Sequence, residues 1–438
     1  PMSKSHRAQR GTARTKRPER CQVEMRFLSL DQMLENDHRA RIVWQYVETL
    51  DLSQLYSEIR AVEGRPGRDP VDPRILFALW LFATLEGVTS ARRLAKLTER
   101  DIAYMWICGG VSVNYHLVND FRTANGELLE QLLVDSIGVL VHQKLVTLRE
   151  VAQDGMRVRA NAGSGSFRRE ATLEQALADA KEHVERLKQE HEADSSGEDR
   201  REKAARKRAA EDRVRRVEQA QRELEELKSQ RAKQRREPNS EARASTTDPE
   251  ARRMKMGDGG FRPAFNVQFA TDCQTRLIVG VAVNNQGSDA GLMKPMHEQI
   301  QKDYGERPQR YLVDGGFAKC EDVTSLEREG TEVYGPLPRE EKLLAEGKDP
   351  YASKRGDSDE MAAFRQRMGT AEAKAIYKQR CSVAEFPNAD CRNRGLHQFR
   401  VRGCRKAKAQ TLWHAIAFNL LRMINLDFLS KLTAASPG

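Results

Sequence analysis

The segment from about residue 170 to residue 236 constrains the fold most, because it cannot join a globular core. It is highly charged, rich in alanine and free of aromatic residues. Apolar residues recur in it at spacings of three and four, before and after the polar break HEADSSGED: Leu173, Leu177, Ala180, Val184 and Leu187, then Val214, Val217, Leu224 and Leu227. Such a seam makes two helices pair through one face. Residues 170–237 are therefore predicted to form an inserted antiparallel coiled-coil hairpin, a solvated spacer arm, with dimerisation or DNA contact left open.

Composition limits the class of protein and its partners. The chain has 438 residues, enough for two or three domains, with 39% apolar and 32% charged residues. Its formal net charge is +10, which favours a polyanionic partner such as nucleic acid.

The cysteines and the apolar runs indicate a cytosolic location. Seven cysteines occur with no CxxC spacing, which argues against a zinc module and for reduced thiols. The first twenty residues lack the apolar stretch of a secretory signal, and the longest apolar run, residues 75–83, is too short to span a bilayer. We expect a cytoplasmic protein.

Residues 1–24 are predicted to be a basic, flexible N-terminal arm. The first twenty carry seven Lys or Arg against one acid and almost no apolar side chains. Such a segment cannot bury a core alone, so it is expected to be either a solvated tail or a phosphate-binding arm.

Residues 25–145 are predicted to form a helical domain. Asp72 before Pro73 predicts the start of a buried helix, and Ser90 predicts the cap of a second, basic helix that contains Arg92 and Arg93. A short turn with a glycine joins the two, which fits a helix-turn-helix whose second helix enters a DNA major groove; an ordinary helical hairpin fits the same spacing.

After residue 260 the pattern alternates between strands and helices, which predicts a mixed α/β layer. Strands are expected at 265–269, 276–283, 311–313 and 331–335, helices at 291–300 and 321–329, and a polar loop at about 339–359. One long helix is then expected from about residue 358 towards Glu385. The amphipathic stretch 412–424 is expected to pack on the sheet, with Trp413 in the core.

Three acidic residues lie where this layer would carry chemistry. Asp314 directly follows a buried strand and precedes two glycines, which let the backbone turn away. Asp154 occupies a similar place after residues 145–151, and ligands of α/β sheets gather at such strand ends. Glu385 lies between Lys378 and Arg392, each seven residues away, so all three would share one face of a continuous helix.

Several segments, taken in order, resemble insertion-sequence transposases of the DDE type. VDPRILFALWLFATLEGVTSARRLAKL resembles their N-terminal helical domain, and REVAQDGMRVRANA their first catalytic strand. TDPEARRMKMGDGGFRPAFNVQFATD, NNQGSDAGLMKPMHEQI and YLVDGGF resemble the middle of the catalytic domain. The stretch from Tyr377 to Met423 is similar to the terminal catalytic helix and the segment after it.

The resemblance implies an RNase H-like catalytic domain over residues 146–169 and 238–438, with the hairpin inserted in it. It further implies that Asp154, Asp314 and Glu385 are the catalytic, metal-binding carboxylates. Relatives often carry Tyr-x2-Arg-x3-Glu-x6-Lys around the glutamate. Here the spacing is Tyr377-x2-Arg380-x4-Glu385-x6-Arg392, one residue longer before the glutamate. Arg392 replaces the final lysine and keeps its positive charge, but on a planar guanidinium group with several N–H donors. Pro387 is expected to kink or end the helix just past Glu385.

Three carboxylates suit two-metal chemistry on DNA. Mg²⁺, for which Mn²⁺ could substitute, prefers oxygen ligands, and two such ions can clamp an in-line displacement at phosphorus. The expected reactions are hydrolysis at the transposon ends and then attack of the 3′-OH on target DNA. The expected partners are the terminal inverted repeats, target DNA and a second copy of the chain. The expected DNA-binding residues are Arg92, Arg93, Tyr377, Arg380, Arg392, Arg394, Arg400 and Arg402.

Three other interpretations stay open. A transposase-derived DNA-binding protein would keep the basic surfaces without cleavage. A structural coiled-coil protein would account for residues 170–236 and little else. A nuclease that cuts without joining would share the same three acids.

Overall fold

We describe the protein from a computed structural model, in which residues 20–21, 23, 25, 27–61, 69–193, 200–233 and 241–433 are described. Most of the predicted N-terminal arm lies outside these residues, as does most of the polar break in the hairpin. No helix in the described ranges is long and apolar enough to cross a membrane.

All elements before residue 150 in these ranges are helices: α1 (Leu30–Met33), α2 (Arg39–Glu48), α3 (Ser53–Ser57), α4 (Pro73–Leu85), α5 (Ala91–Leu97), α6 (Ile102–Cys108), α7 (Tyr115–Ala124) and α8 (Gly126–His142). Asp72 and Ser90 cap α4 and α5 as the sequence predicts, accepting from the N–H groups of Arg74 and Arg93. Every residue of α4 except Arg74 is buried, as its almost entirely apolar sequence requires.

A six-stranded mixed sheet follows. It contains β1 (Glu150–Arg159), β4 (Arg252–Lys255), β5 (Phe261–Asp272), β6 (Ile278–Asn284), β7 (Arg310–Leu312) and β8 (Glu332–Tyr334). β5, β1, β7 and β8 are neighbours in that order, and β4 and β6 pair with β5. β1 is antiparallel to β5 and parallel to β7, and β7 is parallel to β8. A mixed sheet of this order, with flanking helices, is consistent with an RNase H-like α/β domain.

The helices of the second half are α11 (Met293–Tyr304), α12 (Cys320–Arg328), α13 (Glu340–Ala345), α14 (Asp359–Met368), α15 (Ala371–Lys378), α16 (Arg380–Asn393), α17 (Cys404–Asn425) and α18 (Leu429–Thr433). α17 packs between β6 and the helices α4 and α8. Trp413 of α17 lies in the core, as predicted, and donates to the Arg122 carbonyl over 3.1 Å. The N-terminal helices and the sheet therefore share one continuous hydrophobic core.

Two long helices, α9 (Glu170–Ala193) and α10 (Arg200–Lys233), form what we call the helical arm. They pack in antiparallel orientation: Lys228 pairs with Glu170 over 2.6 Å, and Lys181 with Glu218 over 3.5 Å. Leu173, Val217, Ala220 and Leu224 form a small core of their own. The strands β2 (Phe167–Arg168) and β3 (Ala244–Ser245) pair at the base of the helical arm. Its description as a coiled coil stays a prediction.

The structure corrects three expectations. The long helix expected from residue 358 to Glu385 is broken into α14, α15 and α16, because Thr370 caps α15 through the N–H of Ala373. Pro387 does not end the helix: it lies inside α16, buried, and the helix continues to Asn393. The loop expected at residues 339–359 contains the short helix α13.

Two carboxylates anchor the start of α17 to the base of the helical arm. Asp248 accepts from the N–H of Gly403 over 3.1 Å, and Glu250 accepts from the N–H of Cys404 over 2.5 Å. Gly403 has a φ of 85°, which favours glycine. Asp248 is fully buried and its Oδ2 has no hydrogen-bond partner. Burial raises the pKa of Asp248 to about 6, against the lowering effect of the Gly403 N–H.

We predict that Asp248→Asn makes stability less dependent on pH. Since the folded-state pKa lies above the unfolded value of 3.8, the native protein holds a proton that the unfolded chain has lost, and stability falls as pH rises from about 4 to about 6. The variant should therefore gain on the order of 3 kcal/mol relative to wild type between about pH 4 and about pH 7. Denaturant unfolding at both pH values measures this difference, and Asp37→Asn, at an exposed aspartate, is the control. A constant difference between wild type and Asp248→Asn would contradict the assignment.

Candidate active site

Asp154 lies in the middle of β1, not at the end of a strand as expected from the sequence. One edge of β1 pairs with β5 from Val151 to Arg159. The other edge pairs with β7 only over residues 150–152. In the described part of the chain, its next pairing on that edge is a bridge between Arg159 and Gln398. The strand edge is therefore open at the level of Asp154.

Asp314 stands beside this opening. Residues 310 and 312 of β7 pair with residues 150 and 152 of β1, and continuing the register places Asp314 level with Asp154. Asp314 Oδ1 accepts from the N–H of Gly316 over 2.6 Å. A Cβ on residue 316 would lie 2.9 Å from that oxygen. Glycine is therefore favoured here because a side chain would come too close to Asp314, and not because of its φ. The parallel strands thus bring together two acids that are 160 residues apart.

The Asp154 carboxylate is held by two side chains of α16. Arg380 donates to Oδ1 and Asn388 donates to Oδ2, each over 2.8 Å. Burial raises the pKa of Asp154 to about 6, and the negative charge of Asp314 adds to this. Arg380 and Asn388 act in the opposite direction, because both stabilise the charged form. We call these four residues the Asp154 site.

Asn388 was missed by the sequence-based prediction. It follows Arg380 by eight residues, just over two helical turns, so both can reach β1 from one side of α16. Because the helix continues past Pro387, Asn388 is held on the same side of α16 as Arg380. The Asn388 Oδ1 is buried and has no hydrogen-bond partner, so an oxygen atom that could coordinate a cation lies beside Asp154.

Glu385 is not part of this group. It is exposed on α16 together with Arg392, whereas Arg380, Ala384 and Asn388 belong to the buried side. Lys378 does not share their face as expected, because it belongs to the separate helix α15. Within the described ranges, no three His, Cys, Asp or Glu side chains are grouped so that they could hold a metal ion. The structure therefore brings together two of the three expected carboxylates.

The Asp154 site fits a divalent cation in its donor atoms. Carboxylate and amide oxygens are the ligands that Mg²⁺ prefers, and Asp154, Asp314 and the unpartnered Asn388 Oδ1 supply them. The repulsion between the two aspartates is a cost that a cation between them would offset. Glu385 is on the same helix as Asn388, three residues before it.

A third aspartate, also missed by the sequence-based prediction, lies behind β1. Asp289 accepts from Asn266 and Gln268 over 2.8 Å each and pairs with Arg157 over 2.9 Å. A Cβ on Gly155 would lie 2.6 Å from Asp289 Oδ1, so Gly155 makes room for this network. Two buried amides at alternate positions of an otherwise apolar strand were the signal that could have revealed it.

The expected DNA-binding residues fall into two groups. Arg92, Arg93, Arg392, Arg400 and Arg402 are exposed. The other three make contacts inside the protein. Arg380 pairs with Asp154, and the half-buried Tyr377 is hydrogen-bonded to Arg380 and lies near Asp314. Arg394 donates to Asp390 and to the Leu85 carbonyl.

The turn between α4 and α5 is fixed to the end of α16. Besides the bond from Arg394 to Leu85, a Cβ on Gly395 would lie 2.5 Å from the Thr89 side chain. The buried Arg122 donates to the Thr89 carbonyl over 2.9 Å. Arg93 of α5 lines a cavity of about 650 Å³ that also contains Glu86 and Asp101. The candidate helix-turn-helix is thus in direct contact with the helix that holds Asp154.

The class of the protein, a transposase, is given by two family models. Residues 28–124 match the family described as a transposase domain (DUF772). Residues 238–420 match the transposase DDE domain, which covers Asp314 and Glu385 but not Asp154. The two matches, in this order, support the identification of the chain as an insertion-sequence DDE transposase. Neither the curated proteins nor the solved structures compared with the chain gave a match.

We predict that Asn388→Ala raises the pKa of Asp154 further above its ordinary value. The substitution removes a hydrogen bond that favours the charged carboxylate. A ¹³C titration of aspartate-labelled, metal-free protein would measure the shift, with Asp154→Asn identifying the resonance. Asn393→Ala, at an exposed asparagine of the same helix, is the control. An Asp154 titration identical in Asn388→Ala and Asn393→Ala would refute the role of Asn388.

Proposed function

We propose that the protein cuts DNA at the ends of an insertion sequence and joins the freed 3′-OH ends to target DNA. One observation carries the proposal: Asp154 and the nearby Asp314 lie at an open strand edge, and α16 supplies Arg380 and Asn388 to the Asp154 carboxylate. A largely buried carboxylate whose pKa is raised, as for Asp154, with a second acid close by is typical of a functional site rather than of a surface ion pair.

Asp154, Asp314 and Glu385 are proposed to hold two Mg²⁺ ions, or Mn²⁺ in their place. When bound, these ions would activate water or a 3′-OH and stabilise charge on the phosphate. Arg380 and Asn388 hydrogen-bond the two oxygens of the Asp154 carboxylate and favour its ionised form. Tyr377 is hydrogen-bonded to Arg380 and lies near Asp314, and it is proposed to orient Arg380.

The exposed arginines are proposed to bind the DNA backbone. Arg92 and Arg93 are on α5, Arg392 is on the exposed side of α16, and Arg400 and Arg402 follow it. For Arg394 the contacts with Asp390 and Leu85 favour an internal role over DNA contact. The proposed partners are terminal inverted repeats, target DNA and a second copy of the chain, within the bacterial nucleoid.

The proposed domain division follows from the order of the elements. Residues 1–24 are a basic arm and residues 25–145 an all-α DNA-binding domain. Residues 146–169 and 238–438 are the RNase H-like catalytic domain, and residues 170–237 are an inserted coiled-coil hairpin. Because α17 packs on both α4 and β6, the two large domains are proposed to act as one body.

A catalytically inactive, transposase-derived DNA-binding protein is the second candidate. The observation that favours it is the exposed position of Glu385, away from the two aspartates. Cleavage and binding therefore need to be measured separately on the same DNA.

The decisive experiment uses DNA that carries the ends of the protein's own element, in Mg²⁺ and in chelator. Wild type is expected to cleave and join in Mg²⁺ only. Asp154→Asn and Asp314→Asn are expected to lower cleavage at least about 100-fold while binding DNA normally, because each removes a ligand charge. Glu385→Gln is expected to do the same, and Glu372→Gln on α15 is the control.

The outcomes separate the candidates. Binding without cleavage by wild type would establish the inactive alternative. Cleavage without joined products would make the protein a nuclease. Cleavage in chelator, or at the wild-type rate by Asp314→Asn, would remove the metal role from the Asp154 site.

A further inference from the structure

The middle of α10 is fastened to the segment that leads into α17. Glu250 joins the two: its Oε1 accepts from Gln219 of α10 over 3.0 Å, and its Oε2 accepts from the N–H of Cys404. Arg252 of β4 pairs with Glu223 one turn further along α10. These contacts fix where the helical arm leaves the rest of the protein.

Charge is distributed unevenly along the helical arm. From Lys203 to Arg216, α10 carries seven Lys or Arg and two acids. From Val217 to Lys233 it carries four of each, and α9 carries seven acids against three Lys or Arg. The positive charge therefore lies on the distal half of α10, beyond its contact with the rest of the protein.

Two arginines meet where this basic half begins. Arg216 is one turn before Gln219, and Arg402 is two residues before Cys404, so the contacts of Glu250 bring them close. The Arg216 Nε is buried and has no hydrogen-bond partner. Burial lowers the pKa of Arg216, and the positive charge of Arg402 lowers it further. Asp212 lies near Arg216, and Asp248 lies near Arg402. Adjacent guanidinium groups of this kind match the oxygens of a phosphate.

Exposed basic side chains also lie on the segment that joins β1, the strand of Asp154. Arg400, Arg402, Arg405 and Lys406 are exposed along the segment that precedes and begins α17. This segment joins the end of β1, where the Phe399 N–H donates to the Arg159 carbonyl over 2.8 Å. Arg159 is five residues from Asp154, about 17 Å along an extended strand.

We propose that the distal half of α10, together with Arg216 and Arg402, binds the backbone of double-stranded DNA that extends from the Asp154 site. The inference rests on the proposed function and assigns the helical arm a role in it. The span from Lys203 to Arg216 is about 20 Å of helix, which matches about six base pairs. Exposed arginines without interleaved aromatic side chains fit a duplex backbone rather than unstacked bases.

The test compares two variants of the full chain that lose the same number of charges. Arg206→Gln/Arg213→Gln/Arg216→Gln removes the proposed surface, and Lys181→Gln/Lys188→Gln/Arg222→Gln removes three charges elsewhere on the helical arm. Binding to a duplex of about 40 base pairs is measured in chelator over a range of salt concentrations. The first variant should bind at least about 10-fold more weakly, with a slope of log K against log salt that is shallower by about 2 to 3. The second should keep the wild-type slope, and circular dichroism should show equal helix content.

Each result has one interpretation. A duplex too short to extend beyond the Asp154 site should be bound equally by both variants and by wild type. Equal affinity and slope for both variants on the long duplex would overturn the inference while leaving the proposed function intact. A changed sedimentation coefficient with unchanged DNA binding would also overturn it and assign the surface to self-association. Failure of wild type to bind any DNA would instead refute the proposed function.

Discussion

The pairing of Asp154 with Arg380 and Asn388 is the interaction on which the site depends. A carboxylate with 16% of its side chain exposed cannot stay charged without nearby donors, and leaving one charge of such a pair uncompensated costs several kcal/mol. The two donors belong to one helix, so keeping Asp154 ionised also fixes how α16 lies on the sheet. That orientation places Arg392 and Glu385 on the outer side of α16 and Arg394 against the α4–α5 turn. The hydrogen bonds to the Asp154 carboxylate thus help to fix the position of α16 on the sheet.

The N-terminal helices are tied to the same arrangement through α17 and Arg394. Trp413 packs on Phe77 of α4 with ring centroids 4.7 Å apart, while Asn419 of the same helix hydrogen-bonds both backbone groups of Ile278 in β6. Burying the backbone of an edge strand without partners would be costly, and Asn419 supplies them. A displacement of α4 would therefore disturb the core around α17, and a displacement of the α4–α5 turn would disturb the end of α16. The N-terminal helices are thus mechanically linked to the helix that holds Asp154.

The sequence alone was sufficient to predict the features whose signals lie in a few neighbouring residues. The caps Asp72 and Ser90, the buried α4, the core position of Trp413 and the place of Asp314 just after a buried strand all follow from hydrophobic pattern, capping and turn residues. It failed where tertiary packing overrides a local rule. Pro387 is a helix breaker in isolation, but its place on the buried side of α16 lets the missing hydrogen bond be offset by packing. Asn388 was missed because its role depends on the packing of α16 against β1, and Asp289 because the two amides of β5 that bind it lie on a separate element.

The two faces of β1 differ in how much they can adjust. Behind it, Asp289, Arg157 and the amides of β5 form a closed network, and the glycines at 155 and 316 leave no space for rearrangement. Pairing with β5 along nine residues holds the strand itself. Any arrangement of three carboxylates around a shared ion must therefore be completed from the α16 side. Glu385 has three rotatable side-chain bonds and is exposed, three residues before Asn388 on α16. Of the three expected ligands, it is the one whose side chain the sheet does not constrain, so it is the one that would have to move.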